Sequence, residues 1–177
     1  MSKPYIIVHM MTSIDGRIDC GMTAQLDGNN EYYATLDQLN APTRVSGRVT
    51  AQTEINGGQL DHADGPAYDH ERFAKHSDSH EFEIIADTHG KLRWGKENST
   101  SHPHLILTSE DVPADYLKSL DAANICWIAA GKGHIDLKRA MTILGDEFSV
   151  DRLAVVGGGK INGGFLSAGV VMKSACW

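Results

Sequence analysis

Apolar residues gather in short bursts separated by polar, turn-forming stretches. Tyr5–Met11 is a near-continuous apolar run rich in Ile and Val, which predicts a strand covered on both faces, and Asp15-Gly16 is the turn signal after it. Residues 31–40 predict a short helix closed by Pro42, and Arg44 to Thr50 a short strand running into a polar helix start. From Asn56 to Glu81 the chain is polar, rich in Gly, Asp and His and without periodicity, which predicts a long surface excursion. Order returns in three short apolar runs, Glu83–Asp87, His104–Thr108 and Asn124–Ala130, each reading as an internal strand, with a short helix over Ala114–Ala122. Asp136 is a suitable N-cap for a helix over 137–148, whose apolar positions Leu137, Ala140, Met141, Leu144 and Phe148 follow helical spacing. Arg152–Val156 is a last strand, breaking into Gly157-Gly158-Gly159 and a helix from about Lys160 to Ala168. Strands alternating with helices predict an α/β domain with a largely parallel sheet.

Composition narrows the class. At 177 residues and 41% hydrophobic content, the chain is expected to be a single domain over 1–177 with one core and no internal repeat. No window is apolar for the ~18 residues that a membrane span requires, and the first residues lack the form of a secretory signal. The net charge of -7 argues against a general nucleic-acid binder, which must neutralise phosphates, but leaves room for a local basic pocket. Three widely spaced cysteines, Cys20, Cys126 and Cys176, with no CxxC, read as reduced thiols. The expectation is a soluble, cytoplasmic domain with no membrane or nucleic-acid partner.

Three local patterns carry chemistry. The strand–GGG–helix unit at 153–168 lets backbone approach a ligand at a helix N-terminus, where unpaired N–H groups suit a phosphate; a tight turn without a ligand is the competing reading. It departs from G-x-G-x-x-G at Asn162, and from a Walker A loop because Ile161 follows Lys160. Gly47-Arg48-Val49-Thr50 offers a guanidinium fork and a hydroxyl at a helix start, but alone it is a weak signal, and a surface arginine near a turn is the favoured reading. Ser13-Ile14-Asp15-Gly16-Arg17 follows the first strand, where open α/β sheets bind ligands; the plainer reading is an Asp-Gly turn. Seven of the nine histidines lie between His62 and His104, irregularly spaced, which predicts solvated loop histidines and no metal site. No Gly-x-Ser-x-Gly elbow supports hydrolase chemistry.

Taken in order, PYIIVHMMTSIDGRID, SGRVTAQ, IADTHGKLRWG, AAGKGHIDLKRA and VVGGGKINGGFLSAGVV resemble the reductase domain of riboflavin biosynthesis, a dihydrofolate-reductase-like family, over nearly the whole chain. The resemblance implies a three-layer α/β/α sandwich on a mixed, mostly parallel sheet, a homodimer and NADPH as cofactor. It implies that Gly157, Gly158, Gly159, Lys160 and Ile161 hold the pyrophosphate, and that Gly47, Arg48 and Thr50 meet the adenosine-side phosphates, including the 2′-phosphate. Main-chain groups near Met11 would meet the nicotinamide amide. Asp15, with Ser13 and Arg17 beside it, would face the substrate, Asp15 being the catalytic candidate. The implied reaction is that of a 5-amino-6-(5-phosphoribosylamino)uracil reductase: hydride transfer from NADPH opens a ribosyl group to a ribityl chain.

Two positions depart from the family pattern. Val156 stands where close members carry Glu before the glycine run. The family continues past G-V-V with further strands, whereas Met172–Trp177 predicts none, so the terminal antiparallel strands are expected to be missing and a sheet edge exposed. These departures keep two alternatives open: a dihydrofolate-reductase-like oxidoreductase acting on another small molecule, and an inactive nucleotide-binding remnant.

Overall fold

The computed structural model describes residues 3–13, 18, 29–54, 65–97 and 102–176. Their strands are β1 (Tyr5–Met10), β2 (Thr43–Gly47), β3 (Arg72–Ala74), β4 (Glu83–Ala86), β5 (His104–Thr108), β6 (Cys126–Ala129), β7 (Arg152–Val155) and β8 (Lys173–Cys176). Their helices are α1 (Asn29–Gln38), α2 (Arg48–Glu54), α3 (Ala114–Ala122), α4 (Leu137–Glu147) and α5 (Gly159–Ser167). The strands form one sheet in the order β3-β6-β5-β4-β2-β7-β1-β8, parallel except where β3 runs against β6.

The apolar runs lack strict alternation because both faces of the sheet are covered. Ile6, Val8, Val45, Ile84, Leu107 and Val155 pack on one face beneath Ala140, Met141 and Leu144 of α4 and Phe165 of α5. On the other face, Ile7 and Ala154 meet Leu36 of α1, while Ile85, Ile106 and Trp127 meet Ala51 of α2 and Tyr116, Leu117 and Leu120 of α3. The result is the three-layer α/β/α sandwich of the expectation. α4 starts as its sequence predicts, with Asp136 accepting the Arg139 N–H at 3.0 Å.

Two stretches differ from expectation. The polar excursion, where described, is fastened rather than free. It contributes β3, ties Glu71 to Arg139 of α4 through two 2.8 Å hydrogen bonds, and sets His76 Nε2 2.8 Å from Asp121 Oδ1. The histidines expected to be solvated include His102, 3.1 Å from Glu81, and His104, 2.7 Å from Glu97. All these ties except the His104–Glu97 contact reach across the fold, so hydrophobic periodicity could not register them. The second difference is β8, which follows Val171 and pairs parallel to β1 from Ile7↔Lys173 to Met10↔Cys176. Val170 is buried, and Met172 donates its N–H to the Ile6 carbonyl at 2.9 Å, which leads the chain alongside β1 and makes β8 the outer strand at that side of the sheet. No described helix is long and apolar enough to cross a membrane.

Candidate functional site

Parallel strands all present their carboxyl ends on one side of the sheet, and ligands of open α/β sheets bind there. A cavity of about 810 Å³ opens at that side. Four stations of the chain wall it: Gly47–Thr50 after β2, Asp87–His89 after β4, His134–Lys138 leading into α4, and Gly158–Ile161 at the start of α5.

The glycine run divides its labour. Gly157 is buried, and a Cβ on it would lie 3.3 Å from Thr50 Oγ1 and 3.6 Å from Ser46 Cβ, so glycine lets the β7–α5 turn close on α2. Gly158 caps α5 with φ +83°, a backbone region costly for other residues, and no side chain caps the helix. α4 differs, because its own Asp136 carboxylate occupies its first turn. Of the two long helices opening on the cavity, α5 therefore offers its N–H groups and partial positive charge to an outside anion. Lys160 is exposed beside them.

Arg48 is half-buried and donates from Nη1 to Gln52 Oε1 at 2.8 Å, leaving a fork with further donors on the cavity wall. The Asp87 turn is rigid. Asp87 Oδ2 accepts the Leu92 N–H at 2.8 Å and the Tyr116 O–H at 2.9 Å, while Ser109 and Thr108 hydroxyls hold the Thr88 and Asp87 carbonyls. Burial, then the Asp87 charge, pushes the Tyr116 phenol well above its usual range. The loop before α4 is equally constrained. Glu110 Oε1 accepts the Gly131 N–H and Asp111 Oδ2 the Gly133 N–H, and a Cβ on Gly131, at φ +88°, would lie 2.5 Å from the His134 carbonyl oxygen.

Of the sequence-predicted residues, Gly47, Arg48, Thr50, Gly158, Gly159, Lys160 and Ile161 line this one cavity, and Gly157 packs behind it. Met11 and Ser13 are half-buried just beyond the carboxyl end of β1, outside the cavity lining. Asp15 and Arg17 lie outside the described residues. Ile18 touches this region, its Cδ1 3.3 Å from where a Cβ on Gly159 would stand. His9, buried on β1, stacks on Tyr32 at 4.6 Å. Sequence reasoning missed the Asp87–His89 and His134–Lys138 walls as site elements. Their signal was their place directly after predicted strands. Among the described residues, no three His, Cys, Asp or Glu are grouped to hold a metal ion.

Solved structures share this fold. Over 96% of this chain and 44% of theirs, Acinetobacter baumannii RibD superposes with a TM-score of 0.62 at 14% identity. A pyrimidine reductase-like protein from Corynebacterium diphtheriae matches at TM-score 0.66 and 18% identity, over 95% of this chain and 71% of its own. The Saccharomyces cerevisiae riboflavin biosynthesis reductase Rib7 matches at 0.58 and 15%, over 96% and 69%. The chain thus spans less than half of the A. baumannii protein. A comparison with curated protein sequences gave no match. The model of the RibD C-terminal domain matches residues 4–174, almost the whole chain, and the chain belongs to the RibD C-terminal domain family.

Proposed function

We propose that the chain is an NADPH-dependent reductase acting on a phosphorylated aminopyrimidine ribotide of the riboflavin pathway. The observation that carries this reading is the gathering of the uncapped α5 N-terminus, Thr50 and Arg48 on one cavity at the carboxyl side of the sheet. The fit to a dinucleotide rests on backbone: Gly158 holds a positive φ at the helix start, and no side chain caps the N–H groups that open on the cavity. The α5 amides and Lys160 would hold the pyrophosphate, and Thr50 and Arg48 the adenosine-side phosphates. When bound, the reduced nicotinamide supplies the hydride. Main-chain groups near Met11 would orient its amide at the end of β1. Ser13 would face the substrate, and Asp15 and Arg17 belong to the same proposal. A homodimer and a cytoplasmic setting complete it. The names of the matched RibD and Rib7 proteins support this choice of substrate.

Titration with NADPH and with NADH, followed by nicotinamide and tryptophan fluorescence, tests the cofactor. Loss of nicotinamide absorbance with the aminopyrimidine ribotide tests the reaction. Saturable binding that prefers NADPH, with turnover, is expected; binding of neither nucleotide would overturn the reading.

Val156 favours a second reading, an oxidoreductase of the same fold on another small molecule. Its side chain packs against the Ile7, Leu36, Ala41 and Ala154 cluster and brings no carboxylate to the site. Turnover of other carbonyl or imine substrates, without the ribotide, would select it.

A further inference from the structure

A second cavity, of about 500 Å³, lies at the amino ends of the strands, on the side of the sheet opposite Gly158 and Arg48. The strand register explains its floor. Tyr5 of β1 stands beside Arg152, the first residue of β7. Carried back along the strands, the pairs Thr43↔Leu153 and Arg44↔Glu83 set Pro42 between Arg152 and Glu81. Neighbouring strands lie about 4.8 Å apart, so Arg152 and Glu81 stand about 10 Å apart across the proline.

Arg152 sets the chemistry of this cavity. It is half-buried, its guanidinium carbon lies 4.9 Å from the centre of the Tyr5 ring, and its Nε is shut from water without a hydrogen-bond partner. Among the described residues, no carboxylate forms an ion pair with it. The ring holds the guanidinium by a cation–π contact, which leaves the donor fork unspent. A planar carboxylate is the group that such a fork matches in two hydrogen bonds.

The rim around this one cation is acidic. Asp151 and Glu81 both line the cavity, and Glu81 is approached by His102 at 3.1 Å. Helices α1 and α4 also run out at its wall, just before Asn40 and Ser149, and bring the partial negative charge of two C-termini. A simple anion gains Arg152 but is opposed by the rim, and a simple cation is opposed by Arg152. A molecule that carries both charges satisfies both parts of the wall.

We propose that this cavity binds a small zwitterion of the α-amino-acid type, its carboxylate on Arg152 and its ammonium toward Asp151 and Glu81. An adjoining cavity of about 440 Å³ shares Asn40 and Pro42 with it and gives the ligand's side chain room. The proposal stands apart from the reductase reading, since no residue of this site lines the other cavity.

The test is isothermal titration calorimetry of the whole chain with each standard L-amino acid, then with the N-acetyl and carboxamide forms of the tightest. Saturable binding at about 1 mM or below is expected. R152Q, or loss of the ligand's carboxylate, should weaken it about tenfold or more. D151N, or N-acetylation, should weaken it about threefold, as an exposed charge pair does. If R152Q fails to fold, the blocked ligands on the wild-type chain and D151N decide. No saturable binding by any amino acid would overturn the proposal. So would blocked forms that bind as tightly as the parent, or inorganic phosphate that does the same.

Discussion

Tyr116 donates its phenolic hydrogen bond to Asp87 Oδ2 across 2.9 Å, with both side chains sealed from water. The same oxygen receives the Leu92 N–H, and the tyrosine ring lies 2.7 Å from where a Cβ on Gly90 would stand. One side chain of α3 thereby locks the turn that carries Thr88 and His89 to the cavity. Tyr116→Phe keeps the ring and removes the donor, leaving a buried carboxylate short of a partner. Stability should fall by about 1–3 kcal/mol. A lower urea midpoint at unchanged slope is the expected observation.

The same pair sets the behaviour in alkali. Burial, then the Asp87 charge, raises the Tyr116 phenol well above its ordinary 10.0 in the folded chain. Below that ordinary value neither state ionises and the full stability is present. Above it the unfolded chain releases the proton while the native one holds it, so stability is lost as pH climbs toward the raised value. Spectrophotometric titration should find one tyrosine that ionises only with unfolding, and Tyr116→Phe should remove that component of the alkaline loss.

Gly158 is the position where the start of α5, the proposed pyrophosphate site, depends on backbone freedom, with φ +83° at the helix cap. A Cβ there meets Ile161 Cγ2 at 3.6 Å, ordinary contact, so the penalty is conformational rather than steric. Gly158→Ala should cost about 1–3 kcal/mol, or shift the α5 start to relieve that strain. Either way, NADPH affinity should weaken more than thermal stability alone explains. Parallel measurement of the melting temperature and the NADPH dissociation constant separates the two effects.

What the sequence revealed follows from the range of each interaction. The Ile- and Val-rich runs became β1, β4, β5, β6 and β7, and the Leu137–Leu144 spacing became α4, because burial periodicity is local. Gly158 and Asp136 were legible for the same reason, since a cap is read within one turn. β3 was not, because Arg72–Ala74 joins the sheet through β6 and Glu71 is held by Arg139, over fifty residues away in sequence. β8 was hidden by its composition: Lys173 and Ser174 form a strand only because Met172 is already bonded to Ile6. At the site, the glycine run and Arg48 announced themselves as residue types. His89 and His134 did not, since only strand order brings their two loops to one cavity.

Val156 is where chain and family pattern diverge, and a substitution turns the divergence into a measurement. The valine N–H bonds the Val45 carbonyl at 2.9 Å, and its side chain joins the cluster of Ile7, Leu36, Ala41 and Ala154 beneath α1. Val156→Glu introduces the residue that the sequence resemblance led one to expect, but places a carboxylate against that apolar surface. A carboxylate there is disfavoured in its charged form, so its folded-state pKa rises and its penalty grows with pH. The expected result is a loss of about 1–3 kcal/mol near neutral pH that shrinks in acid, where the group is neutral. Urea midpoints at several pH values check this. A midpoint that does not move would mean that residue 156 faces solvated space, where a glutamate could reach a ribotide. Because the native chain carries no carboxylate there, that outcome would favour the second substrate reading.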